Sequence, residues 1–159
     1  MDLLDEIIVA LYSIERQVSP SDLCAIIYIA ERLLGEKTLD IYEMTCIGPA
    51  SPNFNFCLYI LNQGAMVEVK DGIIYLTDRG EEMARKIITG SSDDAILALY
   101  RLIRELGEMT SNRIMEICEA LWKDERLGRG VTSDIKHLLK TILDKVITKR
   151  KQSIIAQNR

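Results

Sequence analysis

Asp71-Gly72 lies between two β-prone runs, Met66-Val67-Glu68-Val69-Lys70 and Ile73-Ile74-Tyr75-Leu76. A two-residue turn between twisted strands needs positive φ at both central positions, and Asp-Gly supplies it at little steric cost. This hairpin is the tightest local constraint in the chain, and three helices precede it. Leu3, Leu4, Ile7, Ile8, Leu11 and Ile14 recur at the spacing of an amphipathic helix. Ser19-Pro20-Ser21-Asp22 opens a second helix, with Ser19 as cap, Pro20 in the first turn and Asp22 at the positive end. That helix runs through Leu23, Ile26, Ile27 and Ala30 to Gly35, a natural stop. Ile41 to Cys46 reads as a short strand. Gly48-Pro49-Ala50-Ser51-Pro52 then breaks the chain and starts a third helix, capped by Ser51 and ending at Gly64. After the hairpin, Thr77 caps a further helix through Ile88, and Gly90-Ser91-Ser92 marks a boundary.

Three helices, the third entered through a sharp turn, and then a hairpin: this is the order of a winged helix-turn-helix. The stretch from Gly48-Pro49-Ala50-Ser51-Pro52 to Tyr75-Leu76-Thr77-Asp78-Arg79-Gly80 resembles small prokaryotic, archaeal-type winged helix-turn-helix regulators. In those, a Gly-Pro-x-Ser-Pro entry to the third helix and a similar exit from the wing recur. The resemblance covers about residues 1–90. It implies a fold more specifically than a function.

A second pattern is internal. Ile8-Val9-Ala10-Leu11-Tyr12 recurs as Ile96-Leu97-Ala98-Leu99-Tyr100, and Ser19-Pro20-Ser21 is echoed by Thr110-Ser111-Asn112. Gly48-Pro49-Ala50-Ser51 matches Gly130-Val131-Thr132-Ser133, and Ile60-Leu61 matches Ile142-Leu143. Lys70-Asp71-Gly72-Ile73-Ile74 falls on Lys151-Gln152-Ser153-Ile154-Ile155. The expected fold is therefore mainly α with small β-hairpins, a tandem winged helix-turn-helix with units at 1–90 and 91–159. Gln152-Ser153 is a poorer turn than Asp71-Gly72, so 146–159 reads either as a second wing or as a helical tail.

The two halves differ in charge. Residues 1–90 hold 7 basic and 14 acidic side chains, a net of −7, whereas 91–159 hold 13 and 10, a net of +3. The stretch 122–159 carries 10 basic and 4 acidic side chains, a net of +6. Such a split suggests different partners for the two halves. In the second unit Ile135, Leu138, Leu139, Ile142, Leu143 and Val146 fill one helical arc. The opposite arc holds Ser133, Lys136, His137, Lys140, Thr141, Asp144 and Lys145, and Lys149, Arg150 and Lys151 follow. Cations gathered on the third helix and its trailing segment suit phosphates and base edges of double-stranded DNA. The competing reading is a solvated helix face with a basic tail.

The third helix of the first unit fails that test, because Asn53 to Gln63 carries no charge. It has more apolar residues than one face can hide. If Phe56, Cys57, Ile60 and Leu61 face inward, as the internal match implies, then Phe54, Leu58 and Tyr59 face outward. The family's turn instead buries Phe54, Leu58 and Leu61 and exposes Phe56, Tyr59 and Ile60. Either register leaves an aromatic patch, drawn from Phe54, Phe56, Leu58 and Tyr59, for a homodimer or a protein partner. The alternative is that the surplus face packs inside the molecule.

Other classes find little footing. The longest apolar run, Leu23 to Ala30, is eight residues, far short of the roughly 20 that cross a bilayer. The N-terminus lacks the basic start of a signal peptide, so a cytoplasmic protein without membrane contact is expected. Cys24, Cys46, Cys57 and Cys118 contain no close pair, and they read as small buried hydrophobes rather than metal ligands or disulfides. Gly-rich phosphate loops, GxSxG and HExxH are all missing, and the one histidine has no partner nearby in sequence. The expectation is a DNA-binding transcriptional regulator without enzymatic activity or cofactor. The runner-up is a tandem winged-helix interaction module within a larger assembly, without DNA contact.

Overall fold

The computed structural model describes residues 2–34, 42–90, 94–127 and 132–157. Among them are seven helices and two small antiparallel hairpins, so the protein is mainly α. Helix α1 (Leu3–Ser13) and helix α2 (Pro20–Leu34) are followed by the hairpin β1 (Glu43–Thr45) and β2 (Gly48–Ala50). Helix α3 (Pro52–Gln63), the hairpin β3 (Val67–Lys70) and β4 (Ile73–Leu76), and helix α4 (Asp78–Gly90) complete the first half. The second half is helical: α5 (Asp94–Gly107), α6 (Ser111–Leu127) and α7 (Ser133–Gln157).

Short polar side chains set where the helices begin. The amide of Asp22 donates to Ser19 Oγ at 3.1 Å, that of Phe54 to Ser51 Oγ at 3.1 Å, and that of Gly80 to Thr77 Oγ1 at 3.1 Å. In the second half the amide of Arg113 donates to Thr110 Oγ1 at 3.3 Å. Each bond satisfies an amide that the first turn leaves without a carbonyl.

The β3–β4 hairpin pairs Val67 with Leu76 and Lys70 with Ile73. Asp71 and Gly72 take φ of 52° and 75°, both positive, as the turn requires. The amide of Ile74 also donates to the Val18 carbonyl at 3.0 Å, which ties the hairpin to the link between α1 and α2. At its exit Thr77 Oγ1 donates to the Ala65 carbonyl at 2.6 Å. A Cβ at Gly80 would stand 2.1 Å from the Met66 carbonyl oxygen, so only glycine fits where α4 crosses this corner. Those two contacts explain why threonine and glycine sit three residues apart there.

One local expectation changes. The strand expected from Ile41 to Cys46 is Glu43–Thr45, paired with Gly48–Ala50 as a hairpin before α3. Ile41, the stop at Gly35 and the Ser91-Ser92 boundary lie outside the described residues. Of the two readings of 146–159, the structure takes the helical tail: through Gln157 the chain continues α7 and forms no second wing. Between Ser133 and Gln157 there is neither glycine nor proline to break the helix. Gln152-Ser153 cannot cheaply take two positive φ values, whereas Lys, Arg, Gln and Ala propagate helix well.

Helix α2 is the axle of the molecule. Every residue from Leu23 to Glu31 is buried, enclosed by α1, α5, α6 and β2. A helix apolar on all sides must be central, and that is the role of the run Leu23 to Ala30. At its end the Arg32 guanidinium sits 4.6 Å from the Tyr28 ring centre and pairs with Glu125. Tyr42 donates from its hydroxyl to Glu31 at 2.8 Å. Burial, reinforced by the Glu125 carboxylate, pushes the Tyr28 phenol up to about 12.

The helices matched by the internal repeat pack on one another, α1 on α5 and α2 on α6. One continuous buried cluster contains Ile7, Ile26 and Phe54 together with Leu102, Ile117 and Ile142. Polar ties join the halves as well. Arg16 donates through Nε to the Gly107 carbonyl at 2.7 Å and through Nη2 to the Met109 carbonyl at 3.2 Å. Glu15 pairs with Arg104 at 2.6 Å, and Ser111 donates to Asp22 at 2.6 Å. Among the described residues no helix is long and apolar enough to cross a membrane.

Candidate nucleic-acid interface and a second exposed face

Helix α7 divides as its sequence pattern predicts. Ile135, Leu139, Ile142 and Val146 are buried, Leu138 and Leu143 are half-buried, and the helix packs on α5. Ser133, Lys136, His137, Lys140, Thr141, Asp144 and Lys145 are all exposed. Lys136 and Lys140, four residues apart, share an outward direction. Among the described residues neither is in an ion pair.

The surroundings refine this arc. Arg113 on α6 bonds Glu116 at 2.6 Å and Asp134 at 3.0 Å. Hydrogen bonds to those two carboxylates hold its guanidinium above the usual arginine range. Asp134, the acid in the first turn of α7, thereby shares one guanidinium with Glu116 beside the lysines. Lys145 leans toward Glu105 on α5, with 3.5 Å between Nζ and the carboxylate. Thr141 donates its hydroxyl proton to the His137 carbonyl at 2.9 Å, leaving the oxygen as an acceptor. The arc therefore reduces to Lys136, His137 and Lys140 at its centre, with Ser133 at the N-terminal end and Asp144 as an acidic interruption. Lys149, Arg150 and Lys151 continue the helix, and their side chains lie outside the described residues. The sequence pattern did not reveal Arg113 or Glu105, because both reach α7 from other helices.

On α3 the structure selects one register. Phe54 is 2% exposed and Leu61 is also buried, while Phe56 is 63% and Tyr59 62% exposed, with Ile60 exposed beside them. Leu58 is half-buried. This corrects the assignment of Phe54 and Leu58 to the surface. Ser51 fixes the start of the helix through its bond to the Phe54 amide, and that sends the Phe54 ring into the core. The outward stripe is Asn53, Phe56, Tyr59, Ile60 and Gln63.

Cys24 and Cys118 are buried, Cys57 is half-buried, and Cys46 is exposed, contrary to the reading of all four as core. Desolvation pushes the Cys118 thiol up, which keeps it protonated and inert. Among the described residues no group of three or more His, Cys, Asp or Glu side chains is placed to hold a metal ion. A cleft of about 540 Å³ lies between α1, the β3–β4 hairpin and α4, walled by Tyr12, Arg16, Tyr75, Glu81 and Arg85. Arg85 pairs with Glu81 at 2.9 Å, and Arg16 caps α5. Both guanidinium groups on this wall are engaged within the protein.

Comparison of the chain with known protein families and with curated proteins finds no match. The functional reading therefore rests on the two exposed helix faces.

Proposed function

We propose that this chain is a DNA-binding protein, a small cytoplasmic transcriptional regulator that holds duplex DNA along the outer face of α7. The observation that carries the reading is the pair Lys136 and Lys140 flanking His137, both outward and without an ion pair among the described residues, on a helix whose opposite face is buried. Lys149, Arg150 and Lys151 extend the same helix and would add phosphate contacts. The first half supports a winged-helix reading through its order of α1, α2, α3 and hairpin, with β4 bonded to Val18. Its hairpin offers Lys70 beside Glu68 and Asp71 in a half of net −7, so the cations for DNA come from the second half. Contact there runs through one long helix instead of a helix and a second wing.

Fluorescence anisotropy with random duplex DNA tests this. Affinity should fall steeply as salt rises, with a log–log slope of about −4 to −5 if roughly five phosphates are neutralised. Lys136→Glu/Lys140→Glu should remove the binding while circular dichroism stays unchanged. Absence of binding at low salt would favour the second reading, an interaction module in a larger assembly. The exposed aromatic stripe of α3 speaks for that reading, and it is compatible with DNA contact through α7.

A further inference from the structure

We infer that DNA binding along α7 is linked to a proton: His137 takes one up as the duplex docks, so the complex tightens in mild acid. This rests on the α7 reading above and adds how that site is regulated. His137 is the chain's one histidine, and it lies exposed between Lys136 and Lys140. Imidazole is the side chain that by class changes charge between about pH 5 and about pH 8. Over that range the lysines of the face stay cationic and its aspartates stay anionic. His137 is therefore the one group of the arc whose charge can follow pH there.

The surroundings decide what balances that charge. On a helix the side chains three and four residues away are the neighbours, here Ser133, Asp134, Lys140 and Thr141. Thr141 turns its hydroxyl proton inward, to the His137 carbonyl. Asp134, the one acid among the four, is bonded at 3.0 Å to Arg113, which it shares with Glu116. From the helix packed behind α7, Glu105 of α5 reaches Lys145. That pair and Asp144 lie about two turns beyond His137. Among the described residues no carboxylate is paired with His137. A proton on the imidazole thus joins two lysines, and the nearest acid is already held by an arginine. A phosphate seated on Lys136 and Lys140 would supply the anion beside the ring and favour its charged form. By linkage, a ligand that prefers the protonated protein binds it more tightly as pH falls. The contact then changes from two cations to three.

Anisotropy with random duplex DNA at fixed ionic strength, from about pH 8 to about pH 6, provides the test. Wild-type affinity should rise about three- to tenfold toward acid, and the log–log salt slope should steepen by roughly 0.9, the share of one further phosphate. His137→Gln should lose both changes. His137→Arg, a cation at every pH in the range, should show the steeper slope already at the alkaline end. A sole histidine is also read directly by NMR: adding duplex at neutral pH should move its ring resonances toward their protonated positions. A flat profile in wild-type protein that binds DNA overturns the proposal and leaves the α7 reading standing. So does a pH dependence that survives His137→Gln, or a ring whose resonances DNA leaves in place. Binding absent across the whole pH range removes the α7 reading, and this inference with it.

Discussion

Helices α3 and α7 each bury one face and turn the other to solvent. Their outer faces have opposite chemistry. That of α3 is aromatic, amide-rich and free of charge; that of α7 has lysines and a histidine, with its first acid bonded to an arginine from α6. The buried faces are alike because both must fill the same continuous core. The outer faces answer to no packing constraint, so they are where two helices on one core can diverge.

The sharpest way to break this comparison is through the α3 register. Phe54→Ala should cost about 3–5 kcal/mol, because it empties a site deep in the core. Phe56→Ala, two residues on, should stay within about 0.5 kcal/mol. Urea unfolding of both variants decides the matter; equal costs would mean that the helix is rotated from the arrangement described. A smaller effect is expected at the junction of the halves. Arg16→Ala leaves the Gly107 and Met109 carbonyls without their guanidinium and should cost about 2 kcal/mol, read as a lower thermal midpoint. A broader transition in that variant would show the two halves unfolding separately, and an unchanged midpoint would mean that the apolar core alone couples them. The smallest effect concerns α7. Glu105→Gln releases Lys145 from its ion pair, with a stability change below about 1 kcal/mol. DNA binding should tighten about two- to threefold with a slightly steeper salt slope. Unchanged binding would place Lys145 outside the contact.

Much of the local structure is legible in the sequence because it rests on bonds between near neighbours. Ser19, Ser51, Thr77 and Thr110 each cap the helix that their residue type announces. Asp71-Gly72 turns as its composition requires, and the apolar arc of α7 is the one its spacing predicts. The candidate site was legible to the extent that it is one helix face, Lys136, His137 and Lys140. Arg113, Glu105 and the inward bond of Thr141 were hidden, since each depends on a neighbour or a rotamer that spacing does not encode.

By itself the sequence determined the helix starts, the β3–β4 hairpin and the amphipathic stripe of α7, because capping bonds, turn dihedrals and side-chain period are short-range properties. Only the tertiary structure decided which face of α3 is hidden, that α2 is enclosed on all sides, and that Arg16 caps a helix 91 residues away. α3 has apolar residues on both faces, so its own pattern was degenerate. The core had room for Phe54 and left Phe56 and Tyr59 outside.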